Sequence, residues 1–414
     1  MAGAQRPPSF THLHQRIQYV EEIRMYMPGG FHPVDIGDVI GTNDSQYEVV
    51  HKLGYGGFST VWLVRSCGNV CSYFALKILR ADVTDVDELR ILQHLRSVDG
   101  PGHPNVVTLY DSFKVAGPNG NHQCLVFPVL GPSLQNFKVV EALSGPVRLQ
   151  VCQQVASAVA FLHDRGICHG DLTASNVVFE LPDIQSMSLD RLFELLGPIR
   201  KERLELPNGP RSSRAPPRSL HAPKQLVERA ALSGLNYSLL TRVRIVDFGQ
   251  AFFVNHPPPS LGIPIDFFPP ELCFGYLPSQ KSDIWHLACV LYKVHCKPFI
   301  FPTFFQIFEV LVSTIVSYLG PLPRHWKGCF NFDKYGYKEL GKEQNTTEPT
   351  YWFEDKPPEK SIISRLSTEA PHLTTRQQEE YVCLLHDMLA YEPESRISAK
   401  DVVKRLNSPA FLDE

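Results

Sequence analysis

The chain of 414 residues has no strong excess of charge of either sign, since 40 Lys and Arg residues stand against 43 Asp and Glu residues. This balance gives no reason to expect direct binding to nucleic acid or to an anionic membrane surface. No run approaches the ~18 apolar residues of a membrane span, and the first seven residues lack the apolar stretch of a secretory signal. We therefore expect no signal peptide and no contact with a membrane.

The ten cysteines form no CxxC pair, and the two closest are Cys67 and Cys71. This scatter indicates reduced thiols rather than a disulfide framework or a zinc site. We therefore expect the protein in the cytoplasm and the nucleus. The hydrophobic fraction of 43% and the charged fraction of 20% are ordinary for a soluble globular protein. The length allows two lobes that share a cleft, or several domains.

A glycine-rich turn is the first motif that carries chemistry. It joins two segments of β-like pattern, and glycine lets backbone amides approach phosphate oxygens because no Cβ stands in the way. An isolated turn of this kind is about as often an ordinary hairpin. As a nucleotide-binding element it comprises Leu53, Gly54, Tyr55, Gly56, Gly57, Phe58, Ser59, Thr60 and Val61.

Lys77 follows on an apolar β segment, in the context Ala75-Leu76-Lys77. A lysine on a strand is usually a surface residue whose charge reaches water, but here the ammonium would hold the phosphates of a nucleotide. Glu88 lies on the next predicted helix and would hold Lys77 in place. Asp85 and Asp87 are the alternatives, although neither shares the inward face as well.

A later loop, residues 169–176, reads HGDLTASN, and Asp247-Phe248-Gly249 follows an apolar strand. Asp171 would accept the proton of a substrate hydroxyl, whereas Asn176 and Asp247 would bind Mg²⁺. Asp-Phe-Gly alone is a common turn. Together, the turn, the lysine, the base and the two metal ligands are the set of residues that phosphoryl transfer from ATP requires.

These motifs resemble those of eukaryotic protein kinases. The resemblance implies an α+β, bilobal fold, with a small antiparallel sheet and one helix in the N-lobe and a mainly helical C-lobe. It implies an N-terminal arm at 1–46, an N-lobe at 47–128 and a C-lobe at 129–413, with an insert at 181–241. Within the insert, residues 188–196 could form a short helix, and the proline- and arginine-rich residues 207–223 are expected to be disordered and dispensable for chemistry.

Two further elements of the C-lobe fit the same family. Pro270-Glu271 resembles the kinase Ala-Pro-Glu motif, and residues 282–285, which read SDIW, resemble the helix that carries a buried aspartate. Arg396 is the expected ion-pair partner of Glu271. The resemblance implies that this pair is structural and not catalytic.

Three longer motifs are similar to those of SR-protein kinases. Residues 54–63, GYGGFSTVWL, resemble that family's GWGHFSTVWL; residues 29–38, GGFHPVDIGD, resemble its GGYHPVKIGD; and residues 117–127 resemble its GxNGxHxCxVFE. This resemblance implies a serine/threonine kinase that uses ATP and Mg²⁺ to phosphorylate serine in Arg/Ser-rich proteins, as in the regulation of splicing factors. It implies a monomer whose partners are ATP and protein substrates.

The sequence departs from that family at three places. The family's HTDIKPEN has a lysine two residues after the base, where this chain has Thr173. The hinge glutamate is Pro128, whose carbonyl can still accept a hydrogen bond from adenine, while the Leu130 amide can donate one. The family's acidic groove for substrate is not supported either, because residues 300–360 hold eight acidic and seven basic side chains.

Two other functions stay open on the sequence. Thr173 and Pro128 allow a pseudokinase scaffold, which would bind nucleotide or partner proteins with little or no phosphotransfer. His169-Gly170-Asp171 followed by Asn176 also resembles small-molecule kinases such as aminoglycoside and choline kinases. Those enzymes lack the elements at 270–271 and 282–285, so the protein kinase is the favoured interpretation.

Overall fold

The computed structural model describes residues 17–68, 72–83, 87–97, 102–181, 184–204, 220–297, 299–303, 305–340, 344 and 346–412. Its strands are β1 (Val39–Gly41), β2 (Gln46–Tyr55), β3 (Ser59–Ser66), β4 (Tyr73–Leu79), β5 (Asp111–Gly117), β6 (Gly120–Phe127), β7 (Leu130–Ser133), β8 (Ile167–Cys168), β9 (Val177–Glu180), β10 (Lys201–Arg203), β11 (Gln225–Val227), β12 (Val243–Ile245) and β13 (Phe252–Phe253).

Its helices are α1 (Asp87–Ser97), α2 (Phe137–Ala142), α3 (Gly145–Asp164), α4 (Leu189–Leu196), α5 (Gln280–His295), α6 (Phe308–Leu319), α7 (Phe332–Tyr335), α8 (Ile362–Glu369), α9 (Thr375–Met388), α10 (Ala399–Leu406) and α11 (Pro409–Leu412). The chain divides into two compact units. Unit 1 contains Met1–Leu89, Thr108–Leu130 and Leu181–Leu235, and unit 2 contains the remaining residues.

Unit 1 is built on a six-stranded antiparallel sheet of order β1-β2-β3-β4-β6-β5. In this register Lys77 on β4 lies between Val61 on β3 and Leu125 on β6. One face of the sheet buries an apolar cluster that includes Trp62 and Leu76. The opposite face packs a second apolar cluster, so burial does not alternate strictly along the central strands. A central strand with paired neighbours on both sides therefore carries the lysine.

The described part of the N-terminal arm contains a strand that was not predicted from the sequence. Val39–Gly41 forms β1 and pairs with β2 as the edge of the sheet, and Ile23–Met25 forms a 3₁₀ turn. Ile23, together with Tyr26 and Phe31, packs into an apolar cluster. The prediction overlooked the strand because three residues give too short an alternation to detect.

Most of the insert belongs to unit 1, because Leu181–Leu235 clusters there rather than with the helical residues that precede and follow it in the chain. The predicted domain boundaries themselves stay a prediction. The predicted helix is present as α4, where Ser188 caps the first turn. Leu192 and Leu196 are buried in a cluster with Val50 of β2. Residues 205–219 lie outside the described residues, so the disorder of 207–219 and the dispensability of 207–223 stay predictions. Residues 220–223 are described, and the His221 carbonyl accepts from Asn119 Nδ2 at 2.7 Å.

Unit 2 is mainly helical, with α3 and α5 at its centre. Most of α5 is buried, and its N-terminus has a capping box between Ser279 and Ser282. Short strands β7, β9 and β12 form a small sheet, and β8 pairs with β13. The α+β class is thus confirmed, with an antiparallel sheet in one unit and helices in the other. Within the described residues, no helix combines the length and apolar character needed to cross a bilayer.

Candidate active site

The glycine turn lies at the tip of the β2–β3 hairpin in unit 1. Strand β2 ends at Tyr55 and β3 begins at Ser59, and the Gly56 amide donates to the Ser59 carbonyl at 2.9 Å. Arg80, just after β4, donates from Nη1 to the Gly57 carbonyl at 2.9 Å. Arg80 is a residue that the sequence motifs did not single out. It ties the turn to the strand that carries Lys77.

The glycines of this turn are not required by the fold itself. A Cβ added to Gly54, Gly56 or Gly57 would meet no described atom within 4 Å, and none of the three has a positive φ. Neither packing nor backbone strain therefore explains them. Close approach of a group from outside the protein, as the phosphate hypothesis requires, would explain them.

The other residues that were predicted to bind nucleotide differ in their exposure to solvent. Tyr55 and Phe58 are exposed at the turn, Ser59 and Thr60 are buried, and Leu53 is half-buried. Val61 is also half-buried and lies opposite Lys77. The predicted hinge residues are both half-buried: Pro128 directly follows β6, and Leu130 is the first residue of β7.

Lys77 and Glu88 form the ion pair that the sequence predicted. The Lys77 ammonium donates to both carboxylate oxygens of Glu88, at 2.7 and 2.9 Å. Both side chains are largely shielded from water, so the pair is screened less than a surface pair would be. Of the two alternatives, Asp87 is exposed in the first turn of α1 and Asp85 lies outside the described residues. The ammonium is thus held at one place on the sheet.

The predicted base lies in unit 2 and is held by the predicted metal ligand. Asn176 donates from Nδ2 to Asp171 Oδ2 at 2.9 Å and to the Asp171 backbone carbonyl at 2.8 Å. The other carboxylate oxygen, Oδ1, is buried and has no hydrogen-bond partner among the described residues. A buried, unpartnered acceptor is costly unless something binds to it. A substrate hydroxyl is the partner that the base hypothesis supplies.

The surroundings of Asp171 favour a proton acceptor near neutral pH. The pKa of this carboxyl is raised to about 6, mainly by burial and also by the charge of Asp247, while His286 and the hydrogen bond from Asn176 oppose the shift. A carboxylate base whose pKa lies below the working pH is deprotonated and can accept a proton. If its pKa is also close to the working pH, it accepts the proton more effectively. The value is suited to general base catalysis.

Asp283 of α5 fixes the loop that carries the base. Its carboxylate accepts from the His169 amide at 2.7 Å and from the Gly170 amide at 3.0 Å, and the His163 ring lies 3.1 Å away. Burial alone would raise the pKa of Asp283, but interactions with His163 and His286 hold it well below the ordinary range. The SDIW motif pointed to this residue, although its role in positioning the loop emerged only from the structure.

Asn176 and Asp247 lie at the same end of a strand pair. Ile245 on β12 pairs with Val177 on β9, and the Val246 amide donates to the Asn176 carbonyl at 2.9 Å. Asp247 follows directly, with φ of +63°. This left-handed backbone is uncommon outside glycine and often marks a functional position.

The two side chains suit a hard cation. Asn176 uses Nδ2 to hold Asp171, which leaves Oδ1 as the atom that would bind the metal, and Asp247 supplies a carboxylate. Mg²⁺ prefers oxygen ligands and is commonly bound by one or two side chains together with substrate phosphates. Among the described residues no group of three His, Cys, Asp or Glu side chains could hold a metal by itself. A cation here would therefore depend on the nucleotide for its remaining ligands.

Gly170, the residue before the base, is required by its surroundings. Its φ is +75°, and an added Cβ would lie 2.3 Å from the carbonyl oxygen of Gln250. Residues 247–271, which we call the activation segment, therefore pack against the loop at a point that no larger side chain could occupy. Farther along this segment, Phe268 packs edge-to-face against Phe308 and Tyr335.

The Glu271–Arg396 pair is present as predicted. Arg396 Nη1 and Nη2 donate to the two Glu271 oxygens at 2.8 and 2.7 Å, and both side chains are fully buried. The predicted site thus comprises two groups, with Lys77 and the glycine turn in unit 1 and Asp171 and the metal ligands in unit 2. Their roles in catalysis stay predictions, because geometry alone does not test them.

Comparison with known proteins agrees with this geometry. Residues 47–187 match the family described as protein kinase domain. The chain therefore has a protein kinase domain, the class that the fold and the site define. The serine/threonine-protein kinase SRPK of Physarum polycephalum is 27% identical over 411 residues, which cover 94% of this chain and 91% of that protein.

Other relatives match over a shorter region. The serine/threonine-protein kinase spk-1 of Caenorhabditis elegans is 37% identical over 172 residues, and human SRSF protein kinase 3 is 35% identical over 175 residues. Each alignment covers 39% of this chain, but only 17% of the worm protein and 30% of the human one. The homologues of this protein kinase domain are thus serine/threonine kinases of the SR-protein kinase family.

Proposed function

We propose that the protein is an active serine/threonine protein kinase that phosphorylates serine in Arg/Ser-rich proteins. The observation that carries the proposal is the environment of Asp171. One of its carboxylate oxygens is held by Asn176, while the other is buried without a partner among the described residues. A scaffold that only bound other proteins would gain nothing from this costly arrangement.

In the proposed reaction the serine oxygen attacks the γ-phosphorus of ATP. The new O–P bond forms while the bond from phosphorus to the β–γ bridging oxygen breaks, and ADP leaves. Asp171 accepts the serine proton. Lys77, held by Glu88, binds the phosphates and offsets charge at the leaving group, and the glycine turn covers them with backbone amides. Positioning and charge stabilisation are the main contributions of a protein to this reaction.

ATP is the proposed phosphoryl donor and Mg²⁺ the proposed metal. Asn176 and Asp247 would hold the cation through oxygen atoms, and the cation would neutralise charge on the phosphates. Thr173 supplies no positive charge to the transferred phosphate, and its side chain is buried. We therefore expect Lys77 and the metal to carry more of the charge stabilisation, and the turnover to be slow for a kinase.

Arg/Ser-rich proteins are the proposed substrates because of the three motifs shared with SR-protein kinases and because a relative bears the name SRSF protein kinase 3. We also propose that the protein acts as a monomer in the cytoplasm and nucleus. Size-exclusion chromatography and imaging of the tagged protein test these two points.

The substrate proposal is tested with an Arg/Ser-repeat peptide, a generic basic protein such as histone, and an Arg/Thr-repeat peptide of equal charge. Each is incubated with Mg-ATP and either wild-type protein or Asp171→Ala. We expect the Arg/Ser peptide to be labelled fastest by wild type and not by the variant. Equal labelling of histone would contradict the substrate class, and labelling by Asp171→Ala would contradict the assignment of the base.

A pseudokinase scaffold is the second candidate, and Thr173 is the residue that favours it. Nucleotide binding alone does not separate the two functions, because it could survive in both. An ATPase or autophosphorylation assay does separate them. Mg-ATP binding without turnover, in a preparation whose melting temperature rises with nucleotide, would favour the scaffold.

A further inference from the structure

A buried ion pair lies directly before the glycine turn. The ammonium of Lys52, on β2, contacts the carboxylate of Glu21 in the N-terminal arm, and both side chains are almost completely inaccessible to solvent. Burial lowers the pKa of Lys52, and the charge of Glu21 opposes this shift. Lys52 also lies over the ring of Trp62, 4.8 Å from its centroid. Lys52 precedes Leu53, the first residue of the predicted nucleotide-binding element.

The partner of Lys52 is itself held firmly. The Tyr26 hydroxyl donates to the second carboxylate oxygen of Glu21. The arm also makes backbone hydrogen bonds with the residues just after β4: the Ala81 amide donates to the Gly30 carbonyl at 3.0 Å, and the Asp82 amide donates to the Gly29 carbonyl at 2.8 Å. The arm is thus fixed to the segment that follows the strand carrying Lys77, as well as to the strand that leads into the glycine turn.

The insert contacts the same point of β2. The Ala230 amide donates to the Lys52 carbonyl at 2.8 Å, and the Arg229 amide donates to Tyr19 of the arm at 3.2 Å. The Arg229 guanidinium lies over the Tyr19 ring. Glu228 accepts from the Gln18 amide at 2.8 Å. Two segments far apart in sequence therefore meet at one residue of β2, and they also bind each other.

Such a pair is a weak source of stability. Removing two charges from water is costly, and apolar side chains of similar volume are often at least as stabilising. A charged pair does add a directional contact. Because the ammonium must meet its carboxylate, the pair fixes one arrangement of the two segments. Because the polypeptide runs from Lys52 into the glycine turn within two residues, a displacement of Lys52 would be transmitted to Gly54.

We propose that the Glu21–Lys52 pair, braced by the insert, sets the position of the glycine turn, so that Glu21 is a positioning residue for nucleotide binding. The inference rests on the proposed function only in taking ATP as the ligand. It predicts that loss of the pair weakens nucleotide binding more than it slows phosphoryl transfer, because Asp171 and the metal ligands belong to unit 2.

Glu21→Gln tests the inference, since it removes the charge and keeps the shape. Glu22→Gln is the matched control, because it makes the same change one residue later on a side chain that is 66% exposed. Thermal melting first identifies a temperature at which every protein is folded. Calorimetric titration with Mg-ATP then gives the affinity without requiring phosphotransfer, and peptide assays give KM for ATP and kcat.

We expect Glu21→Gln to weaken Mg-ATP binding and raise KM for ATP at least about fivefold, with kcat within about twofold of wild type. Glu22→Gln should match wild type. Equal affinities in the two variants would overturn the inference, as would a fall in kcat with unchanged KM. Failure of wild type to bind Mg-ATP would contradict the proposed function as well.

The double variant Glu21→Gln/Lys52→Met is used if Glu21→Gln does not fold. It removes the buried charge together with its partner, so stability should recover. We expect its Mg-ATP affinity to remain below that of wild type, because the directional contact is lost. A folded double variant with wild-type affinity would refute the positioning role.

Discussion

Replacing Arg396 with lysine should destabilise the protein strongly and leave its chemistry nearly unchanged. The guanidinium makes five hydrogen bonds, to both Glu271 oxygens and to the carbonyls of Ala390, Lys281 and Tyr391. A lysine ammonium keeps the charge but has three donors. At least two acceptors, buried or partly buried, lose this partner, and each costs about 1–3 kcal/mol. We therefore expect a loss of about 2–6 kcal/mol, against about 5–15 kcal/mol for a typical protein.

Chemical denaturation followed by tryptophan fluorescence measures this loss, because Trp285 is buried beneath the Arg396 guanidinium. The matched control is Arg405→Lys, since Arg405 is about one-third exposed and pairs with Asp387 at 2.9 Å. Surface pairs of this kind contribute about 0–1 kcal/mol. Equal losses in the two variants would refute the reasoning. A fall in kcat of more than about tenfold in folded Arg396→Lys would show that the pair does more than stabilise the fold.

Four further outcomes follow from the site. Lys77→Met should lower phosphotransfer by about 10²-fold or more while the protein stays folded; retention of over about a tenth of the activity would contradict its role. Asp171→Asn should keep Mg-ATP affinity in calorimetry, whereas Asp247→Ala should weaken it, and equal losses would contradict the assigned roles. Asp171 acts as a base in its deprotonated form, and its pKa is raised to about 6. At pH values below about 6, kcat/KM for the peptide should therefore decrease about tenfold per pH unit. A value of kcat/KM that stays constant down to about pH 5 would contradict this role. Gly170→Ala should unfold at a lower denaturant concentration than Gly275→Ala, since both glycines have positive φ but only an alanine at 170 would clash; equal midpoints would contradict the packing argument.

The sequence by itself determined the elements that are local. The glycine turn, Lys77 with Glu88, and the loop from Asp171 to Asn176 each depend on short spacings, eleven residues for the ion pair and five within the loop. Hydrophobic periodicity over such distances fixes which face of a strand or helix a residue occupies. The α+β class, by contrast, was implied by the resemblance of these motifs to those of protein kinases.

Tertiary structure alone decided those contacts between distant segments that no family motif marks. Glu21 and Lys52 are 31 residues apart, and the insert reaches the same strand from about residue 230. No local pattern marks such a pair, because a buried charge and an exposed charge look alike in sequence. The placement of the insert in unit 1 and the partners of Asp283 were hidden for the same reason. Whether a charged side chain is buried, and which side chain it pairs with, depends on how the whole chain packs.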